Sequence, residues 1–253
     1  RLNMFGFMCH PEITKENPEA PANFGLLDQR MAMKWVKDNI AAFGGDPDNV
    51  TIGGQSAGGG SVSSQLCFGT EGLFKRAIIH SGVFYREGTS FLPPPTLADA
   101  EKRGEDFFKF AKCKNLEEIR KLSTDQLRKL WDDYGGFQKS IATWLPIKDN
   151  IFIKDDIFKM MEENKLEKIP LILGYTSDEF LNPDGSSPVL AAIKRIAEFA
   201  EKNERESPIY VYQFDVDIPG WDNAGKFHSV DLWFWFETLA KCWRPFVGKH
   251  YDI

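Results

Sequence analysis

The sequence predicts an α/β fold in which a mostly parallel sheet is flanked by helices on both faces. Segments with apolar residues at helical spacing alternate with short runs that have the composition of buried strands. This alternation favours a parallel sheet, because helical crossovers cover both of its faces. The predicted strands are Val50–Gly53, Ala77–His80, Ile169–Gly174 and Ile209–Phe214.

The first helix is expected over Leu26–Phe43, and further helices over Ala98–Lys112, Asn115–Tyr134 and Ser187–Asn203. Ser123-Thr124-Asp125 forms a helix start inside the third of these segments, which favours two short helices there. Each helix should bury an apolar stripe. The stripe residues are Leu27, Met31, Trp35, Val36 and Ile40, then Leu116, Ile119, Leu122 and Leu127, and finally Val189, Ile193, Ile196, Phe199 and Ala200.

Composition excludes several function classes. The chain has 253 residues with 42% hydrophobic and 27% charged residues, as in ordinary globular proteins. A net charge of −6 with interspersed Lys and Arg gives no basic patch for nucleic acid, and no apolar run is long enough for a membrane span. Widely spaced cysteines (Cys9, Cys67, Cys113 and Cys242) argue against a zinc ribbon or redox dithiol and leave disulfides and the compartment open.

Gly54-Gln55-Ser56-Ala57-Gly58 directly follows the first predicted strand and precedes a stretch of small residues that ends at Leu66. The order strand, sharp turn and helix, with serine at the apex, is typical of a nucleophile elbow. Glycine is expected on both sides, at Gly54 and Gly58, because the backbone crosses itself closely there. The alternative is a glycine-rich loop that only closes a strand. As an elbow, the motif indicates acyl transfer.

Several motifs in a fixed order surround this elbow. They are Asn23–Gln29, Trp35–Ile40, Phe43–Pro47 and Val50–Ile52 before the elbow, and Gly72–Ile79 and Ser81-Gly82 after it. Together they resemble the type-B carboxylesterase family, which contains the cholinesterases and also non-catalytic, neuroligin-like adhesion proteins. The resemblance is dense over residues 1–86 and implies a partial α/β-hydrolase fold, a small-molecule ester substrate and no metal or cofactor.

In α/β-hydrolases the acid and then the base follow the serine along the chain. Asp178 and Glu179 both follow the strand that begins at Ile169, so the residues alone leave either as the acid. The family resemblance assigns this role to Glu179. The same order leaves His228 and His250 as bases, and the resemblance of the surrounding segment favours His228, although a surface-loop histidine is the alternative.

The other two histidines are expected to be structural, with His80 in the core and His10 in a loop. If the site is assembled, Ser56 Oγ should lie near a ring nitrogen of His228, and the other ring nitrogen should face Glu179. Aromatic residues that could approach an ester, or could simply be packing residues, are Phe84, Tyr85, Trp144, Phe180, Trp221 and Phe227.

The oxyanion hole is predicted to use the backbone N–H of Ala57. The family's other donors lie in an upstream glycine loop, but only 55 residues precede Ser56 and none of them forms such a run. The interval between the acid and the base, 228 − 179 = 49 residues, is also shorter than the family pattern. We therefore expect a fragment, or ordered segments joined in one numbering, with a small sheet and the Val50–Gly53 strand at or near an exposed edge.

Residues 1–253 are predicted to form one domain with an elbow segment (1–92), a helical segment (93–168) and an acid/base segment (169–253). Pro93-Pro94-Pro95 ends the first segment, because consecutive prolines break any element. The predicted function is a serine carboxylic-ester hydrolase that forms an acyl-enzyme on Ser56. The alternative is a non-catalytic binding or adhesion domain, which the joint presence of Ser56, Glu179 and His228 disfavours.

Overall fold

The computed structural model describes residues 1–83, 85–86, 89–90, 94–136, 139, 143–218 and 225–239, with side chains left out at 85–86 and 89–90. The residues group into two compact units. The first combines Arg1–Pro47 with Pro93–Asp156, and the second combines Asp48–Leu92 with Ile157–Ile253.

The first unit is built from helices around an apolar core. Seven buried residues form this core: Met4, Met8, Phe107, Phe108, Leu116, Ile119 and Trp144. The predicted break in the third helical segment is confirmed, since Ser123 caps a new helix through a capping box with Gln126. The helices are Asn3–Phe7, Pro11–Glu16, Phe24–Asn39 with a 3₁₀ turn at Ile40–Phe43, Leu97–Phe110, Leu116–Arg120 and Thr124–Asp133.

The predicted buried stripe of the helix Phe24–Asn39 is wrong. Met31 is 66% exposed and Trp35 is 53% exposed, whereas the buried positions include Gly25 and Leu26. A Cβ on Gly25 would lie 2.8 Å from the ring of Phe7, so this helix packs against the first helix through its smallest residue. The face of this helix that is buried is therefore the one where glycine allows close approach. It is not the face with the most apolar side chains.

The second unit contains a four-stranded parallel sheet. Its strands are β1 (Thr51–Gln55), β2 (Arg76–His80), β5 (Leu171–Thr176) and β6 (Ile209–Phe214), in the order β1-β2-β5-β6. A separate antiparallel pair, β3 (Tyr85–Arg86) and β4 (Thr89–Ser90), was not expected. The helices of this unit are Ala57–Phe68, Ile157–Glu162, Pro188–Lys202 and Leu232–Trp235.

All four predicted strands are therefore confirmed within a few residues of their expected bounds. Within the described sheet β1 is an outer strand, which confirms its expected place at an edge. The carboxyl ends of parallel strands lie along the same side of a sheet. The chain leaves β1 into Ser56 and leaves β5 toward Glu179, so these two predicted site residues start from the same side.

Candidate active site

Ser56 forms the sharp turn between β1 and the elbow helix, Ala57–Phe68. Its backbone angles, φ 56° and ψ −121°, lie in a region that residues with a side chain rarely occupy. Two hydrogen bonds hold the turn. The N–H of Ser56 donates to the carbonyl of His80 at 2.9 Å, and the N–H of Gly60 donates to the carbonyl of Ser56 at 3.0 Å. The neighbouring strand and the first helical turn together maintain this strained conformation.

Glycine is required before Ser56, but not at the position that the sequence pattern indicates after it. A Cβ on Gly54 would overlap the carbonyl of Gly58, so this crossing admits no side chain. A Cβ on Gly58 would meet nothing within 4 Å. The second close approach joins Gly59 to Gly82, where a Cβ on Gly82 would lie 2.5 Å from Gly59 Cα. The expectation for Gly58 is wrong because the elbow helix packs through the next residue.

Glu179 is buried and faces His228. Glu179 comes shortly after β5 in the chain, and it is only 1% exposed. One carboxylate oxygen accepts a hydrogen bond from the Thr176 N–H at 3.1 Å, and the other lies 2.5 Å from Nδ1 of His228. A buried carboxylate is stable only when it is paired and hydrogen-bonded. Both of its oxygens meet this condition.

Asp178 is exposed and makes different contacts. Its carboxylate accepts from the backbone N–H of Lys226 at 2.8 Å, and its own N–H donates to the Lys226 carbonyl at 3.3 Å. Asp178 therefore holds the backbone of the segment that leads to His228, whereas Glu179 contacts the imidazole ring. The two neighbouring acids, which the residues alone left as alternatives, point to different parts of the same segment.

The ring of His228 lies beside the side-chain amide of Gln55. Gln55 Nε2 is 3.0 Å from His228 Nε2 and 3.4 Å from Nδ1, and no hydrogen bond joins Ser56 Oγ to His228 among the contacts of these described residues. A hydrogen bond from Ser56 to the ring is therefore not made in this structure, where the amide of the preceding residue contacts both ring nitrogens. Sequence reasoning missed Gln55, although its place directly before the serine was the available signal.

The contact with Glu179 indicates which nitrogen of His228 carries the proton. A carboxylate only accepts, so Nδ1–H donates to Glu179. The ring of Phe180 packs against the imidazole at 4.4 Å between centroids. In the neutral ring, a proton on Nδ1 leaves Nε2 unprotonated, which is the state that a general base requires.

Ala57 is the first residue of the elbow helix. Its N–H is one of the first four in the helix, which have no acceptor within the helix. This position agrees with an oxyanion donor, and the elbow helix directs its N-terminal end toward the Ser56 turn.

The remaining candidates lie elsewhere. His80 is buried in the core and bonded to Tyr212, and His10 caps the helix Pro11–Glu16. Among the aromatic residues, Trp144 lies in the core of the first unit and Phe227 packs on Trp233. Phe84, Trp221, Cys242, His250 and the side chain of Tyr85 lie outside the described residues.

The part of the chain that the structure describes contains no group of three or more His, Cys, Asp or Glu side chains arranged to hold a metal ion. None of its helices combines the length and the apolar character needed to cross a bilayer.

Comparison with known proteins identifies relatives that are named as esterases and lipases. A para-nitrobenzyl esterase of Bacillus subtilis (strain 168) is 34% identical over 285 residues, covering 94% of this chain and 56% of that protein. Lipase 4 of Diutina rugosa is 34% identical over 193 residues, covering 71% of this chain and 34% of that protein. The chain thus spans between about a third and a little over half of the length of these relatives.

The carboxylesterase of Geobacillus stearothermophilus, a solved structure, matches with a TM-score of 0.75 and 25% identity over 94% of this chain and 57% of that chain. This likeness confirms the predicted α/β-hydrolase fold. The sequence profile of the carboxylesterase family matches residues 1–184. The chain is therefore a member of the carboxylesterase family.

Proposed function

We propose that this chain provides the nucleophile, base and acid of a serine hydrolase that cleaves small carboxylic esters through an acyl-enzyme. The observation that carries this proposal is the 2.5 Å contact between the buried Glu179 carboxylate and His228 Nδ1. It pairs an acid with a base in the tautomer that a serine hydrolase needs. The strained turn that presents Ser56 supports the third role.

In the first step Ser56 Oγ attacks the ester carbonyl while His228 Nε2 takes its proton. For this transfer the Gln55 amide leaves Nε2, so that the serine hydroxyl can donate there. His228 becomes an imidazolium, which the Glu179 carboxylate stabilises, and it then returns the proton to the departing alkoxide. Water then attacks the carbonyl of the acyl-enzyme while His228 takes its proton. Return of this proton to Ser56 Oγ releases the carboxylic acid and restores the enzyme.

The tetrahedral intermediate has a negative oxygen that needs N–H donors. Ala57 supplies one from the residue after the nucleophile, and the N-terminal end of the elbow helix adds a favourable dipole. A single oxyanion donor accounts for a factor of about 10²–10³ in turnover. The ester itself is proposed only as a class, because the relatives are named for different esters.

A fluorophosphonate probe tests this proposal, since it forms a covalent bond with an activated serine. The full-length protein should be labelled at one site, and peptide mapping should place the label on Ser56. Ser56→Ala should abolish labelling. Ser64→Ala is the matched control, because Ser64 lies in the same helix with its hydroxyl bonded to the Gly60 carbonyl. Absence of label on the folded wild-type protein would exclude the proposed hydrolase.

A further inference from the structure

A chain of polar side chains crosses the sheet of the second unit. Nδ1 of His80, on β2, lies 2.5 Å from the hydroxyl of Tyr212, on β6. The same hydroxyl lies 2.6 Å from a carboxylate oxygen of Asp231. His80 is 7% exposed and Asp231 is 0% exposed. None of these contacts takes part in the proposed chemistry, although a buried carboxylate is costly to maintain.

Glycine in the intervening strand makes this chain possible. His80 pairs with Gly174 on β5, and Gly174 pairs with Tyr212. A Cβ on Gly174 would overlap the ring of Tyr212. The Tyr212 ring therefore lies across β5 at the one residue without a side chain, which lets its hydroxyl span two strand spacings and reach His80.

The direction of the hydrogen bonds follows from the groups. Asp231 is an acceptor when ionised, so the Tyr212 hydroxyl donates to it and accepts from His80 Nδ1–H. Burial lowers the pKa of His80 and, together with the Asp231 hydrogen bond, raises the pKa of Tyr212. Both groups stay neutral, and the chain of donors ends on one carboxylate. The second oxygen of Asp231 has no hydrogen-bond partner within the described residues, so Tyr212 is its main polar anchor there.

Both ends of this hydrogen-bonded series of side chains are attached to the candidate active site. At one end, the carbonyl of His80 accepts the N–H of Ser56 at 2.9 Å. At the other, Asp231 lies three residues after His228 in a turn closed by the Leu232 N–H to Ser229 carbonyl bond at 3.2 Å. The polar chain thus joins the backbone of the nucleophile turn to the backbone of the base turn.

We propose that Tyr212 and Asp231 are positioning residues that set the place of His228 relative to Ser56. This inference rests on the proposed hydrolase function. The two reacting side chains lie on separate turns, and a displacement of about 1 Å between reacting groups can lower a rate by about 10². An anchor that ties the base turn to the strand end beside the nucleophile limits such displacements.

The test uses the full-length protein and the time course of fluorophosphonate labelling. The labelled fraction at completion counts folded, competent sites, whereas the rate constant reports how well each site is arranged. Tyr212→Phe removes the anchor but leaves the Asp231 charge unpaired, which can prevent folding. The double variant Tyr212→Phe with Asp231→Asn removes that charge as well. Tyr210→Phe is the control, because Tyr210 lies two residues earlier on β6 and is 60% exposed.

We expect Tyr212→Phe and the double variant to label at least tenfold more slowly, with a labelled fraction close to that of the wild-type protein for the double variant. Asp231→Asn alone keeps an acceptor for Tyr212 and should lose less. Tyr210→Phe should match the wild-type rate constant. A wild-type rate constant in the double variant, even with a lowered Tm, overturns the positioning role and leaves the hydrolase intact. No labelling of the wild-type protein overturns both.

Discussion

The side-chain amide nitrogen of Gln55 lies 3.0 Å from Nε2 of His228. The residue directly before the proposed nucleophile thus contacts the ring nitrogen to which Ser56 would give its proton. The same amide nitrogen lies 3.4 Å from Nδ1, so it contacts both ring nitrogens. An amide N–H beside Nε2 competes with the serine hydroxyl as a donor to that nitrogen.

Gln55→Met should accelerate labelling of Ser56 by a fluorophosphonate. The substitution keeps the length of the side chain and removes the competing donor, whose hydrogen bond has a net value of about 1 kcal/mol, or about fivefold in rate. Stopped-flow labelling of the two proteins measures the change. A slower rate would mean that Gln55 assists the reaction.

Glu179→Gln and Asp178→Asn form a matched pair of neighbouring substitutions. Glu179→Gln should lower kcat for a p-nitrophenyl ester by about 10⁴, because an amide no longer fixes the Nδ1–H tautomer of His228. Asp178→Asn should change kcat by less than about threefold, since asparagine keeps an oxygen that accepts the Lys226 N–H. The reverse order of effects would assign the acid role to Asp178.

Gly174→Ala should destabilise the protein, and Gly53→Ala should not. A Cβ on Gly174 would overlap the ring of Tyr212, whereas a Cβ on Gly53 would lie 3.7 Å from Ile78 Cβ, an ordinary contact. Overpacking of this kind costs about 1–3 kcal/mol. Urea unfolding of both variants measures the free energy, and equal midpoints would show that the Tyr212 ring does not need the glycine.

His80 should make stability depend on pH. Burial lowers its pKa below the ordinary 6.5, and Asp231 acts in the opposite direction. The unfolded chain then binds a proton more readily than the folded protein. This contribution to stability is complete above pH 6.5 and is lost as the pH falls from 6.5 toward the lowered pKa of the folded state.

Urea midpoints at about pH 7.5 and about pH 5.5 for the wild-type protein and His80→Gln measure this effect. The wild-type protein should lose more stability between the two conditions, because glutamine does not titrate. An equal or larger loss in His80→Gln would show that His80 is not held in its neutral form.

The sequence predicted the strands and the elbow well, because each is a local pattern. A run of β-branched residues indicates a strand wherever it lies, and Ser56 between glycines indicates a strained turn before its surroundings are known. Burial of the strands was predicted less well, because β1 and β6 are the outer strands of the described sheet and contain no buried residue. The choice of Glu179 and His228 came from family resemblance and chain order. The residues themselves could not separate Glu179 from Asp178, because adjacent side chains differ in burial only once the turn is folded.

Other features depend on contacts between distant segments. The face of Phe24–Asn39 that is buried is set by Gly25 against Phe7, and Met31 and Trp35 mislead a count of apolar residues. The Tyr212 hydroxyl reaches His80 only because the register of two strand pairs places Gly174 between them. The register of the strand pairs is set by contacts between separate segments. The polar contacts of Tyr212 could therefore not be predicted from any one of them.

The proposed covalent acyl-enzyme on Ser56 is tested most directly by rapid-quench mass spectrometry of the full-length protein with a p-nitrophenyl ester. For an ester whose acyl-enzyme forms faster than it is hydrolysed, we predict a burst of p-nitrophenol equal to the concentration of active sites, together with an acyl group on the peptide that contains Ser56. His228→Ala should slow the appearance of this adduct, and Ser56→Ala should abolish it. Turnover with no acyl group on Ser56 for any ester of a series with progressively slower deacylation, or an acyl group on a different residue, would contradict a covalent role for Ser56.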